Sequence, residues 1–389
     1  MKRVCRLFSL LCAVFLLFNV IIVTEVWASP QATQDLDIKA KSAVLMEVST
    51  GKILYEQNSH EKLLPASVTK VMTMLLIMEA LENNRIALDD IVTTSEYAAG
   101  MGGSQVYLAP GEQMSLHDML KAIAVASGND ASVAMAEHIY GSEDAFVKAM
   151  NERAKELGMH DTHFMNSNGL DEENHFTSAH DIALMSRELL KYPKIHEYLN
   201  IWMDSLRDGE FELVNTNKLV KFYKGANGIK TGSTSKALYC LAASAERDGM
   251  QLVAAIMAAP TSAERFRSAS KLLDYGFANY MVVTGAGKGE QVGDLEVLKG
   301  MSPSVKLETA SDFALLVEKG KQGAIDKAFD IADNVEAPVE KGQKSGEIIF
   351  SLNGEEIGRV NVVTAEAVEK ITVKKVFSKM FLQWMNVKE

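Results

Sequence analysis

The sequence predicts an α/β (α+β) protein in which one sheet is flanked by helices and a helical subdomain, followed by a small β-rich domain and a C-terminal amphipathic helix. Two observations predict this class. Strand-like segments lie near both ends of residues 38–279 with long helical patterns between them, which is the order expected when one sheet is covered by helices. After about Asn279 the pattern changes to short β-type runs separated by glycines and charged residues.

Apolar spacing and turn residues place the elements of the first domain, 38–279. Segments 41–46 and 53–55, separated by Ser49-Thr-Gly, predict a hairpin. Segments 237–244 and 251–258 predict two further strands joined by a turn at 246–249, and Asn227-Gly predicts a turn before them. Helical spacing predicts helices at 67–82, 115–126, 130–139, 143–157, 178–191 and 262–275.

The second domain, 280–366, contains no pattern that indicates chemistry. Its strands are predicted at 280–284, 296–298, 305–308, 313–317, 346–352 and 358–364.

The N-terminus has the pattern of an export signal. Basic residues at 2, 3 and 6 precede an apolar run at 7–23. Val26-Trp-Ala then ends in a small residue, as a signal-peptide cleavage site does. Residues 1–28 are therefore predicted to be a signal peptide, with an uncleaved membrane anchor as the alternative.

The C-terminal segment, 368–389, predicts a peripheral membrane anchor. Phe377, Phe381 and Trp384 recur at helical spacing, while lysines occupy the other face. The segment is too short and too rich in lysine to span a bilayer. The alternative is a terminal helix packed on the protein.

The charge and the cysteine content argue against a nucleic-acid-binding protein and against a disulfide-bonded one. The formal net charge of −11 argues against nucleic acid as a partner. Cys240 would stand alone after removal of residues 1–28, so no internal disulfide is expected. Its position in an apolar strand predicts a buried packing residue, not a catalytic thiol.

Three short strings occur in one order: Ser67-Val-Thr-Lys, Ser127-Gly-Asn and Lys230-Thr-Gly. Each string is weak alone, because Ser-x-x-Lys also begins at Ser59, Ser233 and Ser268. Only the string at Ser67 begins a long apolar helix just after a proline and is followed by both of the others. We therefore assign the nucleophile to Ser67.

The residue types in these strings suit nucleophilic catalysis. A serine hydroxyl is a weak nucleophile and needs an adjacent base, which Lys70 can provide if its pKa falls toward neutrality. Burial, a helix N-terminus and the second cation at Lys230 all favour that shift. The Ser127 hydroxyl can pass a proton, and the Asn129 amide can hold Lys70 and grip a substrate peptide group.

Lys230-Thr231-Gly232 is predicted to lie on an edge strand beside a hairpin. Free N–H groups on an edge strand suit an extended peptide, and Gly232 permits the close approach of a ligand backbone.

The three strings resemble those of low-molecular-weight penicillin-binding proteins, the serine D-Ala-D-Ala carboxypeptidases that trim peptidoglycan stem peptides. Ala126-Ser-Gly-Asn-Asp-Ala, Phe164-Met-Asn-Ser-Asn-Gly-Leu and Leu272-Leu-Asp-Tyr-Gly-Phe add to the resemblance, which runs from about Ala40 to the C-terminus. It implies a DD-peptidase/β-lactamase-like catalytic domain with an antiparallel sheet. The Ser-Gly-Asn string is usual in the carboxypeptidases and argues against a class A β-lactamase.

The resemblance also implies residue roles. Ser67 matches the acylated nucleophile, Lys70 its base, and Ser127 with Asn129 the relay element. The backbone N–H groups of Ser67 and Ser233 match the oxyanion hole.

The terminal carboxylate of the substrate is expected at the third string. Lys230 and Thr231 match the family's carboxylate binders. Arg265 matches a more loosely placed carboxylate-binding arginine, a role that Arg267 could also take.

The predicted function is therefore an exported carboxypeptidase at the outer face of the cytoplasmic membrane or in the cell wall. Its predicted partners are the peptidoglycan stem peptide, β-lactams as covalent inhibitors, and the membrane surface; no cofactor or metal is expected. The rivals are a β-lactamase or a DD-endopeptidase on the same fold, or a non-catalytic binding protein anchored to the membrane. Turnover of penicillin against turnover of a D-Ala-D-Ala peptide would separate the first pair, and labelling by a penicillin would exclude the last.

Two further patterns are interpreted as non-functional. Five of the eight histidines lie at 160, 163, 175, 180 and 196, but their spacing fits no common metal motif, so solvent-facing loop histidines are expected. Glu197-Tyr-Leu-Asn is one residue shorter than the deacylation element of class A β-lactamases, so the chain is predicted to lack fast penicillin turnover.

Overall fold

The structure is a computed structural model and describes residues 36–321 and 325–386. The predicted signal peptide, 1–28, lies outside these residues. No helix in the described part of the chain is both long enough and apolar enough to cross a membrane.

A five-stranded antiparallel sheet forms the centre of the first part of the chain. Its strands, in spatial order, are Ile53–Gln57, Ser42–Glu47, Met250–Ala259, Leu238–Arg247 and Ala226–Thr234. The predicted assembly of one sheet from two distant parts of the chain is confirmed, and Ala226–Thr234 is one of its two edge strands. The turn predicted at Asn227-Gly228 is wrong: both residues lie inside this edge strand, where the pairing register shifts between Ala226 and Gly228.

Helices cover both faces of this sheet, and alternate residues of Ser42–Glu47 enter the two resulting cores. Val44 and Met46 pack with the helical subdomain, whereas Ala43 and Leu45 pack with the final helix of this part, Ser262–Asn279. Every residue of the strand is therefore buried, as expected for a strand covered on both sides.

The helices have the following bounds: Lys70–Glu82, Glu96–Ala99, Leu116–Ala124, Asn129–Tyr140, Glu143–Glu156, Ala179–Leu189, His196–Leu199, Leu219–Phe222 and Ser262–Asn279. Tight 3₁₀ turns lie at Ala66–Thr69, Pro193–Ile195 and Arg207–Gly209. Two small two-stranded antiparallel sheets had no counterpart in the prediction. They pair Ile91–Thr93 with Gln113–Ser115 and Met203–Leu206 with Phe211–Val214, and three or four residues are too few for a clear alternation of apolar and polar positions.

The β-rich part has a core of its own, centred on the fully buried Phe350. Tyr280–Ala286 pairs with Phe313–Glu318. Six strands form the larger sheet, in the order Ile325–Ile331, Lys344–Leu352, Glu355–Thr364, Ser304–Thr309, Gln291–Leu298 and Asn334–Glu336. The first and last of these were not predicted; Ile325–Ile331 is a largely exposed strand in which the charged residues at 326, 327 and 330 interrupt the apolar pattern.

The C-terminal helix spans Val373–Asn386 and begins later than the predicted 368. Residues 368–371 instead belong to the β-rich part: Val368 exchanges hydrogen bonds with Val339, and the Ile371 N–H donates to the carbonyl of Lys299. On the helix, Phe377 is 75% and Trp384 70% exposed. These side chains are exposed and do not pack on the body of the protein that the structure describes.

Candidate active site

The predicted nucleophile lies in a strained turn at the start of a buried helix. Ser67 belongs to the tight turn Ala66–Thr69, and the helix Lys70–Glu82 follows it directly. Ala66 has a φ of +48°, a conformation that non-glycine residues rarely adopt and that concentrates at functional sites. The turn places the Ser67 hydroxyl and the Lys70 amine together: Nζ lies 3.2 Å from Oγ.

Lys70 has three polar neighbours, and two of them can only accept hydrogen bonds. Its Nζ atom lies 2.5 Å from Asn129 Oδ1 and 2.6 Å from the carbonyl oxygen of Asn168. A neutral amine has two N–H bonds and one lone pair. If the two oxygens take the two N–H bonds, the lone pair is directed at Ser67 Oγ, which is the arrangement a general base requires.

The surroundings of Lys70 favour that neutral form. Its side chain is fully buried, and this burial, together with the charge of Lys230, holds the pKa of Lys70 well below its ordinary value. The Asp130 carboxylate opposes this shift. The Asp130 carboxylate itself accepts hydrogen bonds from the backbone N–H groups of Val106, Leu108 and Ala131.

The Ser127-Gly-Asn129 string lies on the other side of the lysine. Asn129 begins the helix Asn129–Tyr140 and is fixed by donation from its Nδ2 to the carbonyl of Gly102. Ser127 has a φ of +65° and is buried, and its Oγ has no hydrogen-bond partner among the described residues. A buried hydroxyl left without a protein partner is costly, which is consistent with one that acts on a ligand. The structure shows no hydrogen bond from Ser127 to either lysine.

Lys230 and Thr231 lie on the edge strand Ala226–Thr234, both buried. The Lys230 ammonium donates to the carbonyl of Thr231 at 3.1 Å. Burial lowers the pKa of Lys230 to about 7, and the nearby charge of Arg265 adds to this effect. A bound carboxylate would favour its charged form.

Gly232 is needed for a reason that the sequence did not reveal. A Cβ atom at this position would lie 2.8 Å from the carbonyl oxygen of Pro65 and 2.9 Å from the backbone nitrogens of Ser67 and Val68. The close neighbour of Gly232 is thus the nucleophile turn of the same chain. Ser233 follows on the strand and is exposed.

Of the two candidate arginines, Arg265 lies at the site. Its Nη1 donates to the carbonyls of Gly232 and Cys240 at 3.1 and 3.3 Å, and its buried Nε has no partner in the described part of the chain. Arg267 is exposed and pairs with Glu264. Cys240 is buried, as expected of a packing residue, and burial raises the pKa of its thiol to about 11.

The expectation of solvent-facing loop histidines is wrong for His175, which is 1% exposed. The Met165 N–H donates to its Nδ1, so the proton lies on Nε2, 2.9 Å from the Thr69 hydroxyl. That hydroxyl donates to the carbonyl of Ala66 and so supports the nucleophile turn.

Residues 168 and 169 also belong to the site. Asn168 supplies its backbone carbonyl to Lys70, and a Cβ at Gly169 would lie 1.9 Å from the carbonyl oxygen of Ala66. Sequence reasoning assigned these residues no role. Their asparagine-rich and glycine-containing string was the available signal.

The competing Ser-x-x-Lys strings do not form such a pair. Ser59 donates to Glu56, and Ser268 accepts from the backbone of Lys39. Within residues 36–321 and 325–386, no three histidine, cysteine or acidic side chains converge as metal ligands.

A serine hydroxyl in contact with a buried amine, beside an edge strand that carries a second buried lysine, is the arrangement expected of an active-site serine hydrolase. Residues 29–261 match the family model described as D-alanyl-D-alanine carboxypeptidase, and residues 280–370 match that of the penicillin-binding protein 5 C-terminal domain. The chain belongs to the D-alanyl-D-alanine carboxypeptidase family.

Relatives of this family match the chain over most of its length. It is 47% identical to the D-alanyl-D-alanine carboxypeptidase DacF of Bacillus subtilis, covering 87% of this chain and 88% of that one. The solved structure of penicillin-binding protein 5 from Haemophilus influenzae matches with a TM-score of 0.78 at 32% identity, covering 86% and 98% of the two chains. The ampicillin-bound penicillin-binding protein D2 of Listeria monocytogenes matches with a TM-score of 0.58 at 30% identity, covering 63% and 100%. The activity is that of a serine-type D-alanyl-D-alanine carboxypeptidase.

Proposed function

We propose that this carboxypeptidase removes the terminal D-Ala of peptidoglycan stem pentapeptides through an acyl-enzyme on Ser67. The observation that carries the proposal is the 3.2 Å contact between Ser67 Oγ and a buried Lys70 amine whose other neighbours are acceptors. Lys70 takes the hydroxyl proton as Oγ attacks the carbonyl of the penultimate D-Ala. The backbone N–H groups of Ser67 and Ser233 stabilise the resulting oxyanion.

Collapse of the tetrahedral intermediate breaks the peptide bond. The leaving amine takes the proton from Lys70 by way of Ser127, whose buried hydroxyl has no hydrogen-bond partner among the described residues. Water then attacks the acyl-enzyme and releases the shortened peptide. Asn129 holds Lys70 throughout and contacts the substrate backbone.

Lys230, Thr231 and Arg265 form the proposed site for the terminal carboxylate. A buried cation on an edge strand binds such a group through charge-assisted hydrogen bonds. A penicillin also carries a carboxylate and an acylating carbonyl, so β-lactams would form a covalent adduct at Ser67.

Mass spectrometry of a stem pentapeptide after incubation with the protein tests this function. Loss of one alanine, with the remaining peptide intact, is the expected result. Cleavage elsewhere in a cross-linked peptide, or turnover of penicillin in its place, would favour a rival activity on the same fold.

The proposed location is the outer face of the cytoplasmic membrane, after export by residues 1–28. The exposed side chains at 373, 377, 380, 381 and 384 give the helix Val373–Asn386 an apolar face, and Lys374 and Lys375 are exposed beside it. Burial of each large apolar side chain in the interface contributes roughly 1.5–3 kcal/mol, and each nearby lysine about 1 kcal/mol on anionic lipid.

Vesicle flotation tests the anchor. A chain ending at Thr372 keeps the contacts of Val368 and Ile371 with the β-rich part and should remain in solution with full activity on small peptides. Flotation of this truncated, signal-processed protein with anionic vesicles would place the anchor elsewhere.

A further inference from the structure

A second threonine lies against the carboxylate-binding strand. The hydroxyl oxygens of Thr216 and Thr231 are 2.6 Å apart. Thr231 is part of the edge strand Ala226–Thr234, whereas Thr216 lies between the strand Phe211–Val214 and the helix Leu219–Phe222. The two residues therefore approach each other from separate elements.

Three hydrogen bonds, one from each of residues 215, 216 and 217, hold the segment around Thr216 in place. Its N–H donates to the carbonyl of Val125, two residues before Ser127. Buried Asn215 donates to the carbonyl of Ile201 at 2.7 Å, and buried Asn217 donates to the carbonyl of Gly228 on the edge strand at 2.8 Å. Thr216 is thus held between the segment 125–128, which carries Ser127, and the edge strand, which carries Lys230 and Thr231.

The two hydroxyls together have two protons, and the bond between them uses one. The Thr231 hydroxyl donates to the Thr216 oxygen, so the O–H of Thr216 is left to donate to another acceptor. A carboxylate bound next to Lys230 can accept several hydrogen bonds. We propose that Thr216 is a substrate-positioning residue, which orients the Thr231 hydroxyl and completes the donor set for the terminal carboxylate; this inference rests on the proposed function.

Two substitutions at one position test this role. Thr216→Val keeps the shape of the side chain and removes the hydroxyl, whereas Thr216→Ser keeps the hydroxyl. Thr162→Val is the control for loss of a paired threonine hydroxyl outside the site, because Thr162 contacts Thr177 at 2.7 Å; it also donates to Asp181, so its thermal unfolding is compared separately. Each variant is assayed on a peptide ending in D-Ala-D-Ala and on its C-terminal amide, with thermal unfolding as the check on folding.

For Thr216→Val we expect KM for the acid to rise about tenfold or more, the loss expected for one hydrogen bond to a charged group, with KM for the amide changed less than twofold. Thr216→Ser should restore the acid to within about threefold of the parent protein, and Thr162→Val should leave both substrates unchanged. Equal losses on acid and amide, no loss on the acid, or a serine variant as impaired as the valine variant would overturn the inference. Failure of the proposed function is a separate result, because the unmodified protein would then release no alanine.

Discussion

The Lys70 amine lies 3.2 Å from the Ser67 hydroxyl and is buried among acceptors, so its protonation state determines whether the serine can be activated. Lys70→Arg replaces a titratable amine by a guanidinium that stays charged at all accessible pH values. We expect the rate of penicillin labelling to fall by on the order of 10³ or more, because the general base is lost. Lys62→Arg, which changes the exposed lysine of the competing string that begins at Ser59, should label at the parent rate. A folded Lys70→Arg variant that labels at a similar rate would contradict the role of Lys70 as base.

Lys230→Ala should affect substrates according to their C-terminus. Loss of a charge-assisted contact should reduce kcat/KM for the acid by about tenfold to a hundredfold more than for the amide. The remaining effect on the amide should depend on pH. Since the charge of Lys230 lowers the pKa of Lys70, its removal raises that pKa, and the acidic limb of the amide profile moves to higher pH. Lys236→Ala, on the exposed turn beyond the strand, is the control. Equal losses on acid and amide would show that Lys230 acts mainly through Lys70.

Gly232→Ala should damage catalysis through the nucleophile turn. The added Cβ would meet backbone atoms of Pro65, Ser67 and Val68 at 2.8–2.9 Å, and backbone cannot rotate away as a side chain can. We expect a loss of about 1–3 kcal/mol in the free energy of unfolding and acylation slower by about a hundredfold. Gly287→Ala, which meets nothing within 4 Å, should change neither quantity. An unaltered acylation rate in Gly232→Ala would show that the turn is not held by this contact.

His175 should make the stability depend on pH. Burial lowers its pKa to about 4 from 6.5, so the unfolded chain binds a proton that the folded chain resists. Its contribution is complete above about pH 6.5 and is lost as the pH falls toward 4, by up to about 3 kcal/mol. Urea unfolding between pH 7.5 and 4.5 measures the slope. His175→Gln should be less stable at pH 7.5 but show a shallower slope, while exposed His160→Gln should retain the parent slope. The same slope in all three proteins would exclude His175 as its source.

The sequence predicted those parts of the fold that repeat a pattern over many residues. The helix after Ser67 and the paired strands at 237–258 have long apolar spacing, so local periodicity was enough. The edge strand at Ala226–Thr234 was only partly predicted, because Asn227-Gly228 has the composition of a turn while its pairing with Leu238–Arg247 determines the structure. The site was predicted as three strings, but its supporting contacts were not.

Those supporting contacts depend on tertiary structure. The Asn168 carbonyl and the Gly232 backbone act through main-chain atoms that every residue shares, so no side-chain pattern marks them. His175 appeared to be one of several loop histidines, and only the fold places it beneath Thr69. The Thr216–Thr231 contact joins elements that no local periodicity connects.

The most direct test of the central claim is to locate the covalent adduct after reaction with a penicillin, in the parent protein and in Ser67→Ala. Peptide mass spectrometry should place one adduct on Ser67 of the parent protein. The Ser67→Ala protein should form no adduct and release no alanine from a stem pentapeptide, because both reactions need the same oxygen. Its thermal unfolding is measured to show that the variant is folded. An adduct on Ser59, Ser233 or Ser268, or continued release of alanine by Ser67→Ala, would contradict the assignment of the nucleophile.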